Sequence, residues 1–307
     1  MGTHPGAVNP KDRKRANNPT RGDRWIHNCF DYDNNNNPGD LLNVSIRRNR
    51  VRHWGNLGIA IACGLPTHGR AQRIDVSSNV LGDATLPYPQ RQAIHFEKWC
   101  VNVTVINNTI TQTAGNSPMC PVVAAGSLLV ANNTFANCTA MGNHARAPCL
   151  SVTMGTDTHC GSQGGITHVS ITNNSFVNNT RCANGIIVAS SPGCPEPPFA
   201  PHASVRVEAN LVLALENGTG IAVKQRTVST VDVSQNRIRG TNIGILVDGE
   251  GGDENRQNLL SSTSSRNITI AENSLTRVTQ CIVSPSSSHI YNNTCSHTQH
   301  YEAYPKR

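Results

Sequence analysis

The chain is poor in aromatic side chains, poor in charge and free of long apolar runs. Only 4% of its 307 residues are Phe, Trp or Tyr, and 15% are charged. The longest near-continuous apolar stretch, residues 121–131, contains Gly126 and falls short of the roughly 18 to 20 residues that span a bilayer, so no membrane span is expected. The eleven cysteines include no C-x-x-C pair, which argues against a zinc ribbon or a thioredoxin-like site. Zinc-finger spacing, a Gly-rich phosphate loop, an aromatic RNA-binding motif and a nucleophile elbow are all missing. No specific nucleic-acid partner is therefore expected. The opening Met1-Gly2-Thr3-His4-Pro5 lacks the apolar h-region of a secretory signal, and position 6 is Gly where myristoylation needs Ser or Thr.

What charge there is lies at one end. Residues 1–52 hold 10 Lys or Arg against 5 Asp or Glu, most of the formal net charge of +7. Residues 1–40 read as a basic, flexible leader whose cations act non-specifically. Either the mature chain is cytosolic or the start is incomplete; eleven cysteines are many for a cytosolic protein, though the number is odd, and an extracellular or cell-surface location is expected although no signal peptide is visible. Cys160 and Cys194 lie in loops where pairing is open. Cys63, Cys100, Cys149, Cys182 and Cys281 adjoin apolar runs and read as small buried hydrophobes.

Val and Ile are present in short runs, and their order is regular. An apolar-x-apolar-x-x-Asn unit occurs nine times, ending at Asn49, Asn79, Asn108, Asn133, Asn174, Asn210, Asn236, Asn273 and Asn293, with intervals of 20 to 41 residues. A second run follows most copies, as in Gly185-Ile-Ile-Val188, Gly220-Ile-Ala-Val223 and Gly244-Ile-Leu-Val247. Each repeat thus holds at least two short strands, with insertions between them. Alternation points every second side chain inward, and stacking repeat on repeat at about 4.8 Å puts equivalent residues in parallel register. No single repeat buries its own core, so the repeats must stack. The Asn at the fixed turn is expected to take left-handed backbone geometry and to bond to the Asn above and below. Ten N-x-Ser/Thr sequons are present, most of them generated by the repeat itself, and so are weak evidence for glycosylation.

This pattern resembles a right-handed parallel β-helix, similar to the pectin lyase-like superfamily, over residues 41–295. The implied fold is an all-β, single-stranded solenoid of about nine coils, with residues 296–307 as a C-terminal tail. The implied partner is a polysaccharide, in particular an acidic one.

Candidate chemistry follows the second strand of each repeat. The residue after its last inward side chain is expected to face solvent, which selects Ala62, Glu97, Ala189, Lys224, Asp248 and Ser284. Lys224 and Asp248 belong to adjacent coils. The coil of Lys224 returns through the short segment 225–230, whereas its neighbours make long excursions at 189–203 and 248–267. A short floor between two long walls makes a groove, lined by Lys224, Arg226 and Asp248 with Glu250, Asp253 and Glu254 on one rim. The resemblance implies a lyase or epimerase in which Lys224 is the base, Arg226 pairs the sugar carboxylate, and Asp248 and Asp253 are calcium ligands. The bland alternative for Lys224 beside Asp248 is a cross-strand ion pair on a solvated face. Polygalacturonase-like hydrolases resemble a motif set that includes Asp-Asp and Gly-His-Gly, both missing here, and Arg237-Ile238-Arg239 only echoes their Arg-Ile-Lys. Hydrolysis therefore ranks below elimination. A non-catalytic glycan-binding or structural scaffold is the rival reading. His95 with Glu97, and Asp157 with His159, are minor candidates for a metal or acid–base pair.

Overall fold

The computed structural model describes residues 41–52, 54, 57–62, 71–82, 92–97, 100–111, 114–115, 119–120, 122–123, 125–140, 148–154, 166–179, 182, 184–190, 199–213, 218–224, 228–248, 267–296 and 300–304. Strands are the only regular secondary structure among them. They form three main sheets of ten, nine and ten strands, in which each strand pairs in parallel with its equivalent from the repeat before and after. The protein is a parallel β-solenoid.

The first sheet carries the repeat motif. Its register runs Ile74, Val103, Leu128, Val169, Val205, Val231 and Ile268 in one inward column, all 2% exposed or less. Val76, Val105, Val130, Ile171, Val207, Val233 and Ile270 form a second column, each fully buried. At about 1.5–3 kcal/mol for each buried aliphatic side chain, these ladders dominate stability.

The second sheet is one that two strands per repeat did not anticipate. It consists of three-residue strands directly after each Asn, among them Arg50–Arg52, Thr134–Ala136, Arg237–Arg239 and Thr294–Ser296. The middle residue of each points into the core: Val51, Leu81, Ile110, Phe135, Phe176, Val212, Ile238 and Leu275 are all buried. Phe135 and Phe176 stack with ring centroids 4.6 Å apart and planes 7° from parallel. Arg237-Ile238-Arg239 is one of these strands, with both arginines exposed around a buried Ile238. The echo of a hydrolase motif is thus a structural strand.

The third sheet holds the second apolar run, from Leu57–Ala62 through Thr219–Lys224 and Ile243–Asp248 to Gln280–Pro285 and His300–Tyr304. Small residues precede its inward Ile because the second sheet is close behind. A Cβ on Gly220 would lie 2.6 Å from Cγ2 of Ile238, and one on Gly244 would lie 3.2 Å from Cδ2 of Leu275.

Between the first and second sheets the chain turns through a two-residue device. The residue before each motif Asn takes a left-handed backbone, with φ of 53–58° at Arg48, Ser78, Asn107, Asn132, Asn173, Ala209, Gln235, Glu272 and Asn292. The left-handed geometry expected at the motif Asn belongs to its predecessor. The motif Asn itself turns inward, where its amide is shielded from water and must find partners in the protein. Asn133 is typical. Its Nδ2 donates to Val105 O at 2.9 Å, Ala131 O at 3.1 Å and Asn174 Oδ1 at 3.0 Å. The same contact from Nδ2 to the next Oδ1 links every rung from Asn49 to Asn293. The expected amide ladder is present.

Candidate functional site

On the third sheet Ala189, Lys224 and Asp248 are Cα partners on three successive strands. Ala62 and Glu97 pair in the same way at the other end. Lys224 is half-buried at the end of its strand. Strand pairing thus brings Lys224 and Asp248 side by side, as their spacing implies. Arg226, Glu250, Asp253 and Glu254 lie outside the described residues, as do Asp157 and His159.

Ser284 departs from the expectation. It is 1% exposed, because Leu246 pairs with Val283 and the following Ser284 therefore falls beside the inward Val247. Its Oγ is buried with no hydrogen-bond partner among the described residues. The cause is one residue: the run Gln280-Cys-Ile-Val283 has its inward Ile282 in register with Ile245, so the strand is entered one position later than its apolar pattern suggests.

The first sheet's outer face has the better-defined polar contacts. Its outward column reads Ser45, Asp75, Thr104, Leu129, Ser170, Arg206, Asp232, Thr269 and His289. Arg206 donates to Glu208 Oε1 at 2.7 Å and lies 3.8 Å from Asp232 Oδ2, the looser of its two carboxylate contacts. Arg47 is ion-paired with Asp75. At this end a shallow concavity of about 330 Å³ is lined by Asn43, Ser45, Arg47, Arg73, Asp75 and Asn102, among others. Its two cations outnumber its carboxylate.

One column over, Nδ1 of His168 lies 2.7 Å from Oγ of Ser204 on the neighbouring strand. Burial of the ring, followed by the Arg206 guanidinium, holds the imidazole below the ordinary histidine value. Sequence reasoning did not single out this pair, since a lone His and a lone Ser 36 residues apart meet only through strand register. A hydroxyl bonded to a neutral imidazole is the first half of a nucleophile–base arrangement, but on this sheet it stands on an open surface with no third orienting group contacting the ring among the described residues.

The cysteines divide by partner. Cys281 and Cys295 form a disulfide that ties the third sheet to the last strand of the second, and Cys100 is also disulfide-bonded. Both Cys100 and Cys281 are buried, as expected, but are covalently paired rather than simple hydrophobes. Cys149 and Cys182 are buried thiols. Burial, then the neighbouring thiols of Cys182 and Cys138, pushes the Cys149 thiol well above its ordinary range. Cys63, Cys160 and Cys194 lie outside the described residues.

A metal centre needs converging donors. No group of three or more His, Cys, Asp or Glu able to hold an ion occurs among the described residues, so the calcium expectation at Asp248 and Asp253 has no described donor set. No helix is long and apolar enough to cross a membrane among those residues. No protein-family model, no curated protein and no solved structure matches the chain.

Proposed function

We propose that the chain is a right-handed, pectin lyase-like parallel β-helix that recognises an acidic polysaccharide along the outward stripe of its third sheet. The observation that carries this reading is the register of Lys224 with Asp248, which makes a lysine and an aspartate Cα neighbours at the ends of adjacent strands. A sugar chain laid across the coils meets equivalent positions about 4.8 Å apart. The right hand follows the general handedness of parallel crossovers.

The chemistry proposed there is proton abstraction. Lys224 removes the proton on the carbon beside a uronate carboxylate, and Arg226 neutralises that carboxylate. In a lyase the glycosidic oxygen then leaves from the adjacent carbon and an unsaturated uronate forms. In an epimerase the proton returns to the opposite face. A calcium ion held by Asp248 and Asp253 would assist carboxylate neutralisation when bound. An extracellular or cell-surface setting is part of the proposal, and the Cys281–Cys295 disulfide supports it.

A second reading is favoured by a separate observation. Arg48, Arg50, Arg52 and Arg73 are exposed on the first two coils. They form a basic end on which a non-catalytic glycan-binding scaffold would dock an acidic polymer, with affinity that falls as salt rises.

One experiment separates the readings. Purified protein is mixed with alginate, pectate and glycosaminoglycans, with and without calcium, and ultraviolet absorbance of unsaturated uronates is followed. A rise lost in Lys224→Ala supports the lyase. A flat trace, no carbon-bound hydrogen exchange with deuterated solvent, and salt-sensitive binding lost in Arg48→Ser/Arg50→Ser/Arg52→Ser would establish the scaffold instead. No binding to any of these polymers sinks both.

A further inference from the structure

Seventeen described residues hold a left-handed backbone, with φ between 52° and 74°. Eight are asparagines: Asn43, Asn102, Asn107, Asn132, Asn137, Asn173, Asn178 and Asn292. All eight are exposed, and among the described residues no hydrogen bond engages their Nδ2 atoms. Left-handed geometry favours Asn, so the fold by itself accounts for asparagine there. It does not require it. Arg48, Ser78, Ala209, Gln235 and Glu272 make the same turn in other coils.

The fold fixes the residue two positions further on only after Gly126, where it is the inward Leu128; elsewhere that residue tracks the asparagine. After the eight asparagines it is Ser45, Thr104, Thr109, Thr134, Thr139, Ser175, Thr180 and Thr294, a hydroxyl in every case. After the nine left-handed positions occupied by other residues it is a hydroxyl only twice, at Ser274 and Thr279. The other seven are Arg50, Asp75, Val80, Leu128, Leu211, Arg237 and Asn242. A strand preference for Thr would not depend on what stands two residues earlier. Backbone need explains the first residue of each sequon, and only a joint requirement explains the pair.

The buried asparagines are the internal control. None of the nine ladder residues starts a sequon, because the residue two positions on is the inward centre of a second-sheet strand, as with Val51, Leu81 and Phe135. Acceptors therefore sit on the outward member of each Asn-Asn pair, and the inward member keeps the ladder.

We infer that these exposed left-handed asparagines are N-glycosylation acceptors, so that the solenoid carries oligosaccharides along its turns. The co-substrate is an oligosaccharide linked to a lipid diphosphate. Nδ2 bonds to the anomeric carbon of the first sugar, the bond from that carbon to the diphosphate oxygen breaks, the lipid diphosphate leaves with the electron pair, and the amide proton passes to solvent. Asn107, Asn132 and Asn173 lie on successive coils, so their attachment points form a column with a spacing of about 4.8 Å. This inference is independent of the polysaccharide reading, since it concerns sugars attached to the chain and not sugars it recognises.

The test uses the full chain, secreted from a eukaryotic host and, separately, exported to a bacterial periplasm where disulfides form but this transfer does not occur. Each is made as wild type and with Thr104→Val, Thr109→Val, Thr134→Val, Ser175→Ala and Thr294→Val together. The secreted wild type is expected to be heavier by whole oligosaccharides, to lose that mass on peptide N-glycosidase treatment with the freed sites reading as Asp, and to unfold no earlier than the periplasmic protein. The variant is expected to lose modification at the corresponding five asparagines, while its periplasmic form unfolds at the wild-type midpoint. An unmodified or misfolded secreted wild type overturns the inference. So does a lowered midpoint in the periplasmic variant, because the hydroxyls would then serve the fold.

Discussion

Asn133 donates twice to the single Oδ1 of Asn174, 41 residues away, once from its backbone N–H and once from Nδ2, each at 3.0 Å. Repeated at every rung, this contact makes the coil spacing a side-chain property as well as a backbone one. A ladder of carboxylates could not replace it, since like charges would stack at the same interval without a donor between them.

Replacing a central rung should therefore cost more than replacing an end rung. Asn133→Ala leaves the backbone N–H of buried Asn108 without its acceptor, while Asn108 Nδ2 loses one of three acceptors and keeps Val76 O and Ile106 O. The orphaned N–H at about 1–3 kcal/mol, added to about 1 kcal/mol for the lost Nδ2 contact, predicts a loss of about 2–4 kcal/mol, against about 1 kcal/mol for Asn49→Ala at the half-buried first rung. Urea unfolding of the two variants measures the difference, and equal losses would refute a cooperative ladder.

The stacked pair in the second sheet gives a packing prediction. Phe135 and Phe176 are fully buried and adjacent in register. Each change to Ala is expected to cost about 3–5 kcal/mol. Because each ring loses the other, the double variant should fall short of the sum by about 0.5–1.5 kcal/mol. Strict additivity in calorimetry would show that the rings do not interact.

Stability should also vary with pH through His168. Its folded proton affinity is lowered, so the unfolded chain takes up a proton first as the solution is acidified. The neutral ring's contribution is fully present above the ordinary histidine value of about 6.5 and is lost as pH falls from there towards the lower folded value. Arg206→Ala should raise the His168 titration midpoint part of the way, because burial is the larger cause and remains. Ring-proton titration by NMR reads this directly. An unchanged midpoint would remove Arg206 from the account.

The cysteines should respond to reagents according to their surroundings. Buried Cys149, with its thiol held protonated, is expected to resist alkylation until the protein unfolds. The Cys281–Cys295 bridge closes a separation of 14 residues, and its replacement by two serines should destabilise the C-terminal coils by about 3 kcal/mol. Peptide mapping after alkylation of native and denatured protein checks the first, and chemical denaturation the second. Rapid native labelling of Cys149 would mean that this part of the core opens.

Much of the architecture was legible in the order of residues, because a parallel stack repeats the same side chain at the same place and so leaves a period in the chain. The nine motif asparagines, the inward Val and Ile columns and the juxtaposition of Lys224 with Asp248 all follow from that period. The second sheet was present as a single apolar residue two places after each Asn, too brief a signal to read as a strand without its neighbours above and below. Only the folded chain decided which of two adjacent residues takes the left-handed turn, whether Ser284 or Val283 faces the core, that His168 meets Ser204, and that Cys281 bonds to Cys295. Each of these depends on register or on contact across a coil. A one-residue shift reverses which face a side chain occupies while leaving the composition of the strand unchanged.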